Sequence, residues 1–196
     1  MIYGSILLSL QAIEMQGERD RQLFINSQNR VQTMALIHER LYQSDDMSQV
    51  DFSEYIPSLA ENIFSSYKTT DQDIELSIDI GNVKLELDQA IPCGLMINEM
   101  VTNSLKYAFP NGDSGKIRIA LSLTEDECVV LEVSDDGVGL PAEVDVNKQS
   151  SKLGLQLIRI LTRQLRGTVE MNGAQRGTHY VITFPLEMES VAKRLV

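Results

Sequence analysis

The chain has 196 residues, of which 43% are apolar and 23% charged, a balance that excludes wholesale disorder and any fibrous repeat. Its formal charge of −11 gives an overall field that repels nucleic acid and anionic membrane surfaces. The nearly apolar stretch at residues 5–10 is far shorter than the roughly 20 residues that cross a bilayer, and no basic segment precedes it, so a soluble cytoplasmic chain without direct membrane contact is expected.

In chain order, residues 5–43 carry helical periodicity. Ile6, Leu7, Leu10 and Ile13 recur at three- and four-residue steps. A polar break follows around Gly17, and then Leu23, Val31, Met34, Leu36, Ile37 and Leu41 fall on roughly one side. The pattern predicts a helical hairpin turning near Gly17, with apolar faces that need a partner: a second copy or the following domain. Residues 44–48 read as a polar link, and Asp51-Phe52-Ser53-Glu54 opens a helix running to about Ser66. Residues 74–80 and 83–87 alternate as strands on either side of Gly81-Asn82. Residues 88–107 read as a helix with Pro92 in its first turn. Two further β-runs, 116–123 and 128–134, lead into a polar, glycine-rich loop over 135–152, a helix from about Gly154 to Leu165, and a final hairpin of 168–171 with 178–184. The expected fold is α+β: a helical hairpin, then a two-layer α/β sandwich with helices on one face of a largely antiparallel sheet. Cys93 and Cys128 fall in segments that read as a buried helix and a buried strand, and are expected to be reduced thiols.

Four places carry chemistry. Glu99, Asn103 and Lys106, spaced by four and three, share one stripe of the 88–107 helix. The stripe joins a carboxylate, an amide oxygen suited to a hard cation such as Mg²⁺, and an ammonium suited to phosphate; alone, such a stripe is usually only a solvated face. Asp135-Asp136-Gly137-Val138-Gly139 follows a β-run. A carboxylate there can accept the exocyclic amine hydrogen of adenine while the glycines let backbone approach a base, although Asp-Asp-Gly is also a common turn. Lys152-Leu153-Gly154-Leu155 opens a helix whose free amide groups suit a phosphate, and Arg176-Gly177-Thr178 sets a hydroxyl before the last strand.

The order of these pieces is more specific than any one of them. Glu99-x3-Asn103-x2-Lys106, then Asp135-x-Gly137-x-Gly139, then Leu153-Gly154-Leu155 and Gly177-Thr178, resembles the ATP-binding domain of the GHKL superfamily, which groups gyrase, the heat-shock chaperone, histidine kinases and mismatch-repair ATPases. The run from Ile97 to Pro110 and Ser151-Lys152-Leu153-Gly154-Leu155-Gln156-Leu157 look like sensor histidine kinases of the HWE-like class. The run from Ser27 to Tyr42 looks like that class's second dimerisation helix.

The resemblance implies a partial dimerisation hairpin at 1–47, an ATP-binding catalytic domain at 48–188 and a tail at 189–196. It implies a transmitter of a two-component system that moves the γ-phosphoryl of ATP to a histidine and on to an aspartate of a response regulator. The partners it implies are a receiver domain and a second copy of the chain, joined through the hairpin. Carried onto these residues, Asn103 ligates Mg²⁺ and Asp135 takes adenine. Gly137, Gly139, Gly154, Leu153, Leu155, Tyr107 and Thr178 line the nucleotide, Lys106 and Lys152 face phosphate oxygens, and residues 140–152 form a lid. Glu99 is placed to orient a water or relieve the attacking imidazole of its proton.

This sequence departs from the pattern in three ways. The class's phosphoacceptor histidine aligns a few residues ahead of Met1, Tyr107 stands where many relatives have His, and the final lid motif lacks a second glycine. His38 and His179 are the only histidines and read as structural. Rival readings are a serine kinase or ATPase on the same fold, such as an anti-sigma factor, and an interaction module without nucleotide chemistry.

Overall fold

A computed structural model describes residues 17–43, 49–67, 73–139, 153–172 and 176–187. The expected first hairpin helix, the 140–152 lid with Lys152, and the 189–196 tail lie outside these residues.

The described chain begins with α1 (Glu18–Gln43), followed by β1 (Gln49–Asp51) and α2 (Phe52–Tyr67). Asp51 caps α2: its Oδ1 accepts the Ser53 amide hydrogen at 2.9 Å, satisfying one of the free donors of the first turn. Next come β2 (Ile74–Ile80), β3 (Lys84–Glu86) and α3 (Leu87–Tyr107). Pro92 sits in the second turn of α3 rather than the first; the Asp88 carbonyl it leaves without a helical partner belongs to an exposed residue and is open to water. After a short 3₁₀ turn come β4 (Gly115–Leu123), β5 (Cys128–Asp135), α4 (Leu153–Gln164), β6 (Thr168–Asn172) and β7 (Thr178–Pro185).

The main sheet has five strands in the order β2-β4-β5-β7-β6. β4, β5, β7 and β6 pair antiparallel, as expected, whereas β2 runs parallel to β4. A parallel pair needs a crossover, and α3 supplies it. β3 does not fold back on β2 across Gly81-Asn82 but pairs with β1, whose Gln49 and Val50 the sequence reading leaves unassigned and whose Asp51 it places at a helix start.

Alternation along the strands sends Ile117, Ile119 and Leu121 of β4, Val129, Leu131 and Val133 of β5, and Tyr180, Ile182 and Phe184 of β7 into the core. They meet Met96, Ile97 and Met100 of α3 and Leu155 and Ile158 of α4 in that core. The opposite face is polar, with Lys116–Glu75, Arg118–Asp79 and His179–Glu132 contacts at 2.7, 2.7 and 3.0 Å. Cys93 is buried in α3, while Cys128, at the start of β5, is only half-buried; both thiols are free.

Helix α1 lies against α3. Its inward line is Asn26, Arg30, Thr33 and Ile37, and Ile37 is fully buried beside Gly94 and Tyr55. Gly94 allows this approach, because a Cβ there would collide with the Tyr55 hydroxyl. Val31, Met34 and Tyr42 are 61%, 38% and 77% exposed, so the apolar face expected on this helix is split between an inward and an outward line.

Candidate nucleotide site

Three elements end together here: the last turn of α3, the end of β5 and the start of β7. Asp135 is the final residue of β5. Its Oδ2 accepts the Ser104 hydroxyl hydrogen at 2.7 Å, and its Oδ1 accepts the amide hydrogens of Gly137 at 3.2 Å and Thr178 at 3.0 Å. These donors fix the carboxylate's orientation.

The following loop is tied down on both sides. The Val138 amide donates to the Ala108 carbonyl at 2.9 Å, and the Gly177 amide to the Gly137 carbonyl at 2.8 Å. Only glycine fits at 137 and 177, because a Cβ would run into the Ala108 carbonyl in one case and the Asp135 carbonyl in the other. Gly139 and Gly177 also have positive φ, 77° and 72°.

On α3, Glu99 is buried, Asn103 and Lys106 are half-buried, and Tyr107 is 60% exposed. The N-terminus of α4 abuts this stripe: a Cβ on Gly154 would lie 2.8 Å from Glu99 Oε2 and 3.7 Å from Asn103 Nδ2. The helix start thus brings its free amides and positive dipole end to Asn103, a cradle kept open by the missing side chain. Leu153 is exposed at the rim, whereas the Leu155 side chain is buried in the core. Thr178 is buried beside Asp135.

Two stripe residues have partners on α1 that sequence reasoning missed. Arg30 grips Glu99 as a fork, Nε to Oε1 at 2.7 Å and Nη2 to Oε2 at 3.0 Å. This hydrogen-bonded carboxylate raises the Arg30 pKa further above its ordinary value, against the effect of burial. Lys106 Nζ donates to Asn26 Oδ1 at 2.6 Å and lies 4.6 Å from the centroid of the Tyr67 ring. Burial lowers the Lys106 pKa to about 8, opposed by the negative charge of Glu99 and reinforced by Arg30. Tyr67, pushed up to about 12 chiefly by burial, donates its hydroxyl hydrogen to Asn26 Oδ1 at 2.9 Å. The one local signal for these partners is the four-residue step from Asn26 to Arg30, which sets both on one line of α1. The structure therefore gathers Asp135, Gly137 and Thr178 at one end of the site and Asn103, Gly154 and Leu153 at the other, and turns Lys106 and Glu99 toward α1.

Residues 88–188 match the family described as histidine kinase-, DNA gyrase B-, and HSP90-like ATPase, and residues 2–67 match the family described as histidine kinase. The chain belongs to the histidine kinases. This kinase chain is 33% identical over 184 residues to the sensor histidine kinase PdtaS of Mycobacterium tuberculosis. That match covers 92% of this chain and 36% of PdtaS, so the chain spans about a third of that relative's length. Blue-light-activated histidine kinase 2 of Erythrobacter litoralis is 28% identical over 116 residues, 59% of this kinase chain and 33% of that protein. Among solved structures, the histidine kinase domain of an Erythrobacter litoralis blue-light-activated kinase aligns with a TM-score of 0.73 at 23% identity, covering 82% of this chain and 75% of that one, a likeness of fold. The helices followed by a mixed five-stranded sheet are those of a GHKL ATPase domain. The matched domain implies ATP binding by this histidine kinase. No helix among the described residues is long and apolar enough to cross a membrane.

Proposed function

We propose that this chain holds Mg-ATP for transfer of the γ-phosphoryl to a histidine that the chain does not itself carry, and from there to the receiver aspartate of a response regulator, in the cytoplasm. The Asp135 carboxylate, oriented by Ser104, Gly137 and Thr178 beside the Asn103–Gly154 cradle, is the observation that carries this reading. Asp135 keeps one lone pair, on Oδ2, for the exocyclic amine of adenine, and Gly137 lets the loop close on Ala108 beside it.

Asn103 offers an amide oxygen to Mg²⁺, which usually keeps waters and needs few protein ligands when phosphates supply the rest. The half-buried Asn103 side chain, which also interacts with Tyr180 and borders the open space at Gly154, is the group placed for this role. Bound Mg-ATP supplies the transferable phosphoryl group, and the chain's part is positioning and charge compensation. The α4 amides at Leu153 and Gly154, with Lys106 and Lys152, neutralise phosphate charge, and Tyr107 borders the nucleotide. Glu99 serves as base or water anchor only when Arg30 releases it. The outward line Val31, Met34 and Tyr42 on α1 supports a homodimer or hairpin contact through that helix, because three large apolar side chains there are exposed.

Calorimetric titration tests the site. Asp135→Asn presents an amide donor toward the adenine amine, and Asn103→Ala deletes the metal ligand; each is expected to weaken Mg-ATP binding by roughly tenfold to a hundredfold. Wild-type affinity in both variants overturns the assignment.

A further inference from the structure

Two of the three polar residues on the nucleotide-facing helix have their shortest polar contacts on α1; the ATP-binding domain adds a longer contact from Asn98 to Glu99, 3.5 Å, and the Tyr67 ring beside Lys106. Both oxygens of Glu99 are taken by the Arg30 fork, and the pair is largely dry, with side-chain exposures of 9% for Glu99 and 20% for Arg30. Lys106 is drawn to Asn26, which also accepts from Tyr67. Helical geometry shows what this means for a phosphate: Lys106 leaves α3 about 160° around the axis from Ser104, the residue that holds Asp135. Seated on Asn26 and the Tyr67 ring, the ammonium points to the α1 side and has to swing round to meet a triphosphate.

The rest of this seam is built to part. Asn29, Thr33, Asn98 and Thr102 are buried along it; Asn98 Oδ1 has no hydrogen-bond partner, while the Asn29 and Thr102 side chains interact with the Tyr67 hydroxyl. A buried polar atom without a partner weakens an interface, and water satisfies it once the helix lifts. Among the described α1 side chains, Ile37 alone is apolar and fully buried, so the helix is anchored at one end and held by polar contacts at the other.

We propose that α1 is a latch on the nucleotide site: seated, it occupies Glu99 and Lys106 through Arg30 and Asn26, so that seating of α1 and binding of a phosphate-bearing nucleotide oppose each other. The inference rests on the nucleotide reading of Asp135 and Asn103. Linkage makes the opposition reciprocal: whatever factor seating removes from phosphate affinity, the phosphates remove from seating. Adenosine, which reaches Asp135 but carries no phosphate, leaves the latch closed.

The test uses the full chain with adenosine and with a non-hydrolysable Mg-ATP analogue. In hydrogen exchange, both ligands are expected to protect residues 135–139, while only the ATP analogue speeds exchange over residues 24–34. In titrations, Asn26→Ala and Arg30→Gln are expected to bind the ATP analogue about three- to tenfold tighter than wild type, with Arg30→Lys between them and adenosine affinity unchanged throughout. Should Arg30→Gln fail to fold because Glu99 is left unpaired, Asn26→Ala keeps the ion pair and carries the titration alone. Unchanged or increased protection of residues 24–34 with saturating ATP analogue, or no gain in affinity in Asn26→Ala, overturns the latch while leaving the nucleotide site standing. Failure of every variant and the wild type to bind either ligand overturns the nucleotide reading and the latch with it.

Discussion

Lys106 carries its ammonium into a half-buried gap between α1 and α3, where burial lowers its pKa to about 8 while Glu99 partly opposes the shift. A phosphate needs the charged form. Affinity for Mg-ATP is therefore expected to be flat below pH 8 and to fall as pH rises through about 8 in the free protein, by about tenfold per unit until the raised pKa of the complex is reached. Adenosine affinity should not move over the same range, and Lys106→Gln should abolish the slope for ATP; titrations at several pH values check both. The same group acts on folding with the opposite sign. Its folded pKa lies below the ordinary 10.5, so the unfolded chain binds more protons between about 8 and 10.5, and this lysine's contribution to stability rises with pH across that window. Asp135 stands in contrast, because its surroundings are donors: a hydroxyl and two backbone amides hold its two oxygens. One end of the site thus has a fixed acceptor and the other a cation whose charge and direction both depend on α1.

Elements with a local signal are the ones the sequence reveals. The alternation in β4, β5 and β7 and the helix over 88–107 match the structure closely, because burial on one face imposes its period on neighbouring residues. β1, only three residues long, has no room for a period, and its pairing with β3 cannot be read from either segment alone. The parallel β2–β4 register depends on a crossover through α3, a property of the path and not of the strands. Asp135 and its glycines are visible in the candidate site because they are adjacent in sequence, whereas Arg30 meets Glu99 across 69 residues, and nothing in a helix that reads as a dimerisation element points to the nucleotide stripe. The packing of α1 has its own test at Ile37, which is fully buried next to Gly94 and Tyr55. Ile37→Ala is expected to destabilise the chain by about 2–4 kcal/mol in denaturant titration. The loss should include protection along α1, while residues 115–135 of the sheet keep theirs against exchange.

At the scale of the whole molecule, the question is which histidine receives the phosphoryl group, since the chain carries only His38 and His179. His179 lies on the polar face of the sheet, away from the helices, with Nε2 3.0 Å from Glu132 Oε2. The site made by Asp135, Asn103 and Gly154 is on the other side of that sheet, so His179 cannot approach it without the fold coming apart. His38 is exposed on α1, on the outward line with Val31, Met34 and Tyr42, about 80° around the helix from Arg30. That line suits contact with another helix, and in-line phosphoryl transfer tolerates little misplacement of its nucleophile. Incubated with labelled Mg-ATP, this chain is therefore expected to bind nucleotide and take up no acid-labile phosphate, with His38→Gln and His179→Gln binding ATP as wild type does. Acid-labile phosphate on the present chain that disappears in His38→Gln would place the acceptor on α1 and make its outward line part of the transfer site.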